Sequence, residues 1–346
     1  MKNLTSLTFF VILLMSCKDK KPVLPQPPVE YFQIDSIDLS NTNFNRRFGV
    51  YDMKFDSKDR IWLGTSSGLM MYDQQTKVWQ IFDKNNFPPP PGFSIDYIVY
   101  NIEIDNNDNV YVTVGQVNHQ LYIFNGTSWR TDSLAGHVRF LKNDKKNNIL
   151  WVSTSAGLLS IKNGIKTLYN KSNSILTTLP PPNETSYYIF QVGTKPDGTV
   201  WLGADGDLLK FDGRNWQRFD NKMLPNKGLI TNYLEVDSNG VVFVGISDVF
   251  YSFDGQNITN LTDSIKKYRT GNVFDFYCSP STNNLFLQNG SDILYYNRVK
   301  NTYQVIDSKN SNLSQSGSSS CIAFDSKGDA WVAKSSFVGK LPVNIR

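Results

Sequence analysis

The stretch DGTVWLGADGDLLKFDGRNWQRF, Asp197 to Phe219, decides how the rest of the chain is read. It follows an apolar run, Ile189 to Thr194, and alternates short apolar segments with Asp-Gly turns. Asp197-Gly198 opens the first turn, VWLGA reads as a second strand, LLKF as a third and NWQRF as a fourth. Asp212-Gly213 is expected to be a two-residue hairpin loop, since Asp-Gly supplies the left-handed backbone that such loops require. The unit predicted is a four-stranded antiparallel meander.

The same order of features recurs. An aromatic residue follows the first turn of every copy: Trp62, Tyr111, Trp151, Trp201, Phe243, Phe286 and Trp331. Their spacing of about 40 to 50 residues is the period of propeller blades. Ahead of each lies an apolar strand carrying Met53, Ile102, Leu141, Val192, Leu234, Phe276 or Ile322. The hairpin returns as Asn125-Gly126, Asn163-Gly164 and Asp254-Gly255, and gives way to longer polar turns in the first and sixth copies. An isolated blade has two apolar faces and nothing to cover them, so the copies must stack. Each aromatic should then contribute about 1.5 to 3 kcal/mol by burial between neighbours, which favours core over a set of sugar-stacking platforms.

The last copy lacks a fourth strand. Phe32-Gln33-Ile34 has the pattern of Trp79-Gln80-Ile81 and Tyr303-Gln304-Val305. An N-terminal strand is therefore expected to pair near Phe337 to Leu341, completing the last blade and removing exposed sheet edges. The fold class predicted is all-β, a seven-bladed propeller occupying residues 30–346.

The order inner strand, Asp-x-x-Gly-x-x-Trp, small-residue turn, Gly-Leu resembles the two-component-regulator propeller repeat. The matches are FDSKDRIWLGTSSGLMMYD from 55, KPDGTVWLGADGDLLKFDG from 195 and ILWVSTSAGLLSIKNG from 149. Blades of that family form the periplasmic sensor half of hybrid histidine kinases and occur in free-standing secreted or lipidated proteins. The resemblance implies fold and an envelope setting, not a ligand. With no kinase or DNA-binding region before Arg346, any regulatory role is expected to need a partner.

Residues 1–16 hold one lysine and the apolar run LTFFVILLM, too short to span a bilayer stably and readable as a secretion signal. Leu14-Met15-Ser16-Cys17 resembles the lipobox of bacterial lipoproteins. The resemblance implies cleavage before Cys17 and acylation there, with more than one chain giving stable anchoring. An ordinary signal with an incidental cysteine is the alternative. Residues 17–29, proline-rich, read as an extended tether. Lys18 fits outer-membrane sorting and leaves periplasmic or surface exposure open. Two inserts, 85–97 and 170–186, carry proline runs that suit a rigid rim at the channel mouth or simply bridge one blade to the next.

Two histidines exist, and both fall on loops of one rim, His119 in the second blade and His137 before the inner strand of the third. That placement resembles streptogramin lyase, in which rim histidines act as acid and base. Exposed loop histidines without chemistry are the alternative, so no catalytic residues are expected beyond these two candidates. Inner strands carry Asp52, Asn101, Gln191, Tyr233 and Asp275 at one level, with Lys54, Glu103, Lys142 and Glu235 two residues on. Opposite charges on inner strands need water or each other. The first level, with Tyr51, Tyr100 and Phe190 beside it as stacking surfaces, is the candidate ligand site; water-binding channel lining is the alternative.

Asp237-Ser-Asn-Gly and Asp325-Ser-Lys-Gly are similar to the Asp-box turns of sialidases, but among the inner strands only Arg139 supplies an arginine, so these turns read as structural. Cys278 and Cys321 lie at different levels and read as free thiols rather than a bridge. A net charge of +4 is too small and dispersed for nucleic-acid binding. No phosphate loop, metal-spaced cysteine set or serine elbow is present, so neither cofactor nor metal is expected. The reading is a monomeric, lipid-anchored, non-catalytic propeller that binds a carbohydrate or another envelope protein at its loop-rich face. A lyase or glycan-active enzyme using that face and a structural envelope scaffold are the alternatives.

Overall fold

A computed structural model describes residues 33–37, 49–87, 97–114, 120–176, 191–204, 207–219, 231–246, 249–268, 273–289, 292–313, 320–334 and 337–342. The expectations for the leader and tether, Cys17, Phe32, His119, Phe190 and most of both inserts lie outside these residues.

The chain folds into seven four-stranded antiparallel sheets. Six are uninterrupted meanders, and each begins with an inner strand: Val50–Phe55, Val99–Ile104, Val138–Asp144, Gln191–Thr194, Thr231–Val236 or Val273–Cys278. The seventh runs inward to outward as Ser320–Phe324, Ala330–Lys334, Phe337–Lys340 and then Asp35–Ile37 from the other end of the chain. These are seven blades of a propeller.

The closing strand is shifted by three residues from its expected place at Phe32 to Ile34. Asp35 pairs with Lys340, Ser36 with Gly339 and Ile37 with Val338. Ile34 is instead a fully buried anchor ahead of the ladder. Gly339 makes this possible, because a Cβ there would come within 2.6 Å of the Ile34 Cγ2. The Asn312 side-chain amide then takes both polar groups of Ile34, accepting from its N–H at 2.8 Å and donating to its carbonyl at 2.9 Å.

A second correction concerns the hairpins. Of the four Asn-Gly and Asp-Gly hairpins only Asn163-Gly164, with φ of 51° and 79°, is a two-residue loop, flanked by the pair Lys162 and Ile165. At Asp212-Gly213 the loop spans residues 212–215, since Phe211 already pairs with Trp216. The Asp212 carboxylate accepts the N–H groups of Arg214 and Asn215, at 2.8 and 2.6 Å, so a side chain caps what a tighter turn would leave open. Asn125 and Asp254 cap their loops in the same way.

The Asp-to-Trp spacing has a direct physical cause. At the turn after the first inner strand, Asp56 Oδ1 accepts the N–H groups of Lys58 and Arg60, and Oδ2 accepts the Trp62 indole N–H at 2.9 Å. Asp325 repeats this with Lys327, Asp329 and Trp331, and Asp105 with Asn107, Asn109 and the Tyr111 hydroxyl. In the fifth blade Phe243 has no donor to offer. Arg298 of the next blade reaches Asp237 Oδ2 instead and covers the Phe243 ring at 4.9 Å. The unit quoted first departs from this pattern, for Lys195 stands where the first, second, fifth and seventh blades have aspartate, and the sixth blade has Ser279 there. Trp201, and Trp151 in the third blade, leave enclosed indole N–H groups without a partner. The turns also clasp neighbouring blades: Ser57 donates through N–H and Oγ to Asp108, and Ser326 does so to Asp59 across the closing junction.

Every aromatic of the column packs into the cluster it shares with the following blade. Trp62 sits among Val99, Ile102 and Val112; Trp331 sits among Val50, Met53 and Leu63, which ties the last blade to the first. Tyr111 is half-buried, as befits its hydroxyl. Past the outer strands the chain is pinned by a further asparagine. Asn86, Asn173 and Asn310 donate to Ile81, Leu168 and Val305 carbonyls, and Phe87, Leu176 and Leu313 then plug the core. In the fifth blade a single helical turn, Thr262–Lys266, does this work with buried Ile265.

Trp→Phe substitution separates the two kinds of column site. At Trp62 and Trp331 it removes a hydrogen bond to a carboxylate as well as volume, and should lower unfolding free energy by about 1 to 2 kcal/mol more than at Trp151 and Trp201. Urea denaturation of the four variants checks this; equal losses would mean the indole N–H groups contribute nothing.

Candidate ligand site at the channel mouth

The inner strands place their polar residues on two levels, and the ladder registers define them. Asp52, Asn101, Gln191, Tyr233 and Asp275 each pair with the residue two beyond the column aromatic; Lys54, Glu103, Lys142 and Glu235 each pair with the aromatic itself. Tyr277, opposite Phe286, belongs to the second level and Cys321, opposite Ala333, to the first. Neither was counted in the polar series read from the sequence.

Within the channel these groups satisfy one another. Lys54 Nζ lies 3.0 Å from Asp52 and 3.9 Å from Glu103, and Lys142 lies 3.3 Å from Glu235 two blades away. That reach passes the fourth blade, where Gly193 at this level carries no side chain. Asp52 also joins two blades: Oδ1 accepts from Met53 N–H and Oδ2 from Ile102 N–H of the second inner strand, both at 2.8 Å. Burial works to strip Lys54 of its proton, but the carboxylates of Asp52 and Glu103 override it and raise its pKa. Burial pushes Glu103 up against the pull of Lys54 and Lys142.

Asp275 accepts the Tyr277 hydroxyl at 2.9 Å and the Phe276 N–H at 2.8 Å. Burial nevertheless raises its carboxyl to about 7, with Glu235 and Asp52 adding to the effect. Both thiols are free, and burial pushes Cys278 up to about 12 and Cys321 higher than the usual thiol range. They are poor nucleophiles in the folded protein.

At the loop-rich end the inner strands depart from a regular ladder. In the first, second, third, fifth and sixth blades the register slips by one residue, leaving Tyr51, Tyr100, Arg139, Asn232 and Phe274 unpaired. Such bulges re-aim side chains. Tyr51 is 41% exposed and its ring centre lies 5.0 Å from that of Tyr100, tilted by 47°. The two form an aromatic step shared by adjacent blades. Beside it, Asn101 donates its amide to the Tyr100 carbonyl while its Oδ1 is enclosed without a partner. Gln191 is half-buried at the same level, and burial together with Asp275 raises Tyr233 to about 12.

His137 sits at this end too, half-buried rather than exposed. Its N–H donates to Ser155 Oγ at 2.8 Å and its carbonyl accepts the Ser155 N–H at 2.9 Å, which fixes the backbone to the turn of its own blade. Among the described residues no group of His, Cys, Asp and Glu is arranged to hold a metal ion, and no helix is long and apolar enough to cross a membrane.

Comparison with known proteins bears on the fold. No protein-family model matches the chain, and no curated protein matches it. Solved structures do. Virginiamycin B lyase from Staphylococcus aureus is 12% identical over 90% of this chain and 99% of its own, with a TM-score of 0.66. The extracellular domain of a hybrid two component system from B. thetaiotaomicron is 17% identical over 90% of this chain and 40% of that one, also at 0.66. A structure of YCF48 bound to D1 peptide is 13% identical over 92% and 99%, at 0.61. Both likenesses expected from the sequence, to regulator propellers and to streptogramin lyase-type propellers, are thus present, and at these identities they establish the propeller fold.

Asp275 gives the channel a pH dependence of defined sign. Its folded pKa lies above the unfolded value near 3.8, so its contribution to stability is greatest below pH 4 and is lost as pH rises to 7. Asp275→Asn should therefore gain stability relative to the parent across that interval and run parallel to it above pH 8. Thermal melts from pH 4 to 8 measure this; a constant difference would rule the shift out.

Proposed function

We propose that this chain is a lipid-anchored, non-catalytic propeller of the bacterial cell envelope that binds a ligand at the loop-rich mouth of its channel. The single observation carrying the binding reading is the tilted Tyr51 and Tyr100 pair, lifted from the ladder by two neighbouring bulges and left open to solvent on one side. Aromatic faces at a channel mouth suit a sugar ring or an aromatic side chain of an envelope protein. Asn101, Gln191 and Tyr233 are the accompanying ligand-side residues, with Asp52 joining the first two inner strands and Asp275 held by Tyr277 and Phe276 of its own strand; Phe190, expected with them, lies outside the described residues. The non-catalytic reading draws on the same geometry, since Asp52, Lys54, Glu103, Lys142 and Glu235 are engaged with one another rather than aimed at the mouth. Of the two histidines behind the lyase alternative, His137 has its backbone tied to Ser155 and His119 lies outside the described residues.

The envelope location follows from the signal-like residues 1–16 and the lipobox resemblance at Cys17, and agrees with the extracellular setting of the B. thetaiotaomicron propeller. Outer-membrane sorting rests on Lys18. The small net charge argues against nucleic acid as a partner.

Two readouts test the two halves. Cys17→Ala should abolish incorporation of labelled fatty acid and release the protein from the membrane fraction. Glycan arrays and envelope pulldowns supply ligands, against which Tyr51→Ala and Tyr100→Ala should each weaken binding about three- to tenfold, the equivalent of losing one aromatic contact. Unchanged affinity in both tyrosine variants would move the site away from the mouth.

A further inference from the structure

The bulge that exposes Tyr51 and Tyr100 recurs in the third blade, where the displaced residue is Arg139. Three consecutive blades thus present Tyr, Tyr and Arg at one position of the mouth. Arg139 differs from the other cations of the inner strands. Lys54 is held by Asp52 and Glu103, and Lys142 by Glu235. Arg139 is half-buried, its Nε is enclosed without a hydrogen-bond partner, and among the described residues no carboxylate lies within ion-pair distance. The acids that border the channel are committed elsewhere: Asp52 to Lys54 and two backbone N–H groups, Glu103 to Lys54, Glu235 to Lys142, Asp275 to Tyr277 and Phe276. The guanidinium, with its Nε enclosed and no counter-charge among the described residues, has a planar fork that matches a carboxylate through two parallel N–H···O bonds.

We propose that the mouth selects a saccharide bearing a carboxylate, a uronic acid unit, with Arg139 as the residue that sets this specificity. The proposal rests on the reading of the mouth as a binding site and adds the ligand's charge to it. One sugar face lies on the Tyr51 and Tyr100 step, and the carboxylate meets Arg139 on the adjoining blade. With Lys54 and Lys142 paired deeper in the channel, Arg139 is, among the described inner-strand residues, the cation left to meet an anion arriving from solvent.

Calorimetric titration of the mature chain compares a galacturonate oligosaccharide with the neutral galactose oligosaccharide of equal length. The parent should prefer the acidic ligand by about tenfold or more, with the preference shrinking as salt rises. Arg139→Gln should abolish the preference by weakening the acidic ligand about tenfold or more, and Arg139→Lys, which keeps the charge but not the fork, should retain only part of it. Thermal melts of both variants establish that they are folded. Equal binding of the two ligands by the parent, lost from both in Tyr100→Ala, overturns the role of Arg139 and leaves the mouth as the binding site. Acidic preference that survives in Arg139→Gln overturns it as well. Failure of both ligands to bind, or binding indifferent to Tyr100→Ala, overturns this inference together with the reading beneath it.

Discussion

A twisted sheet with two apolar faces must be covered twice, and here each blade is covered only by its neighbours. That constraint makes the junction between the last blade and the first the point on which the ring depends. Three elements hold it. Asp35–Ile37 completes the seventh sheet by pairing with Phe337–Lys340, Trp331 enters the cluster of the first blade, and Ser326 clasps Asp59. The first of these is the most exposed to failure, because a three-residue strand makes few ladder bonds. Ile34 and the amide of Asn312 reinforce it by adding a buried anchor and two further hydrogen bonds ahead of the ladder. Gly339 belongs to the same device, since no other residue admits Ile34 so close to the backbone.

The arrangement of the blades also explains why chemistry-bearing residues gather where they do. The turns after the inner strands are spent on architecture: in the first, second and seventh blades an aspartate closes the turn and holds the column aromatic, and Ser57 and Ser326 clasp aspartates of the next blade. The opposite end is looser. There the inner strands bulge, and the residues displaced are set by no ladder requirement. Tyr51, Tyr100 and Arg139 occupy those positions on three successive blades, so the mouth can vary in chemistry without disturbing the stack. Deeper in the channel the charged residues form pairs between blades, Lys54 with Glu103 and Lys142 with Glu235, which makes them part of the scaffold rather than free functional groups.

Much of this was legible in the sequence, for reasons that are themselves physical. The aromatic column and the apolar inner strands repeat because every interface between blades has the same shape, and the two polar levels follow from the period of two along a strand. What resisted reading was whatever depends on one extra residue or on a distant partner. The closing strand lies three residues beyond the Phe32 to Ile34 pattern because an anchor precedes the ladder, and the similarity to outer strands could not distinguish an anchor from a paired residue. Asp212-Gly213 looked like a two-residue hairpin, yet its carboxylate stabilises a longer loop. The lock between Asn312 and Ile34 joins residues 278 positions apart, beyond any local signal. Arg139 was visible on its strand, but that no carboxylate among the described residues lies within ion-pair distance of it is a property of the assembled channel.

The most direct test of the closed ring is native-state hydrogen exchange across the closing junction, on the parent and on a chain lacking residues 1–37. In the parent, the amides of Val332, Val338 and Ile37 should exchange with the same opening free energy as Leu63 and Met70 of the first blade, and the deletion should lower all of the remaining sites together. A seventh blade that opens on its own at much lower free energy, with the first blade unaffected by the deletion, would contradict the account.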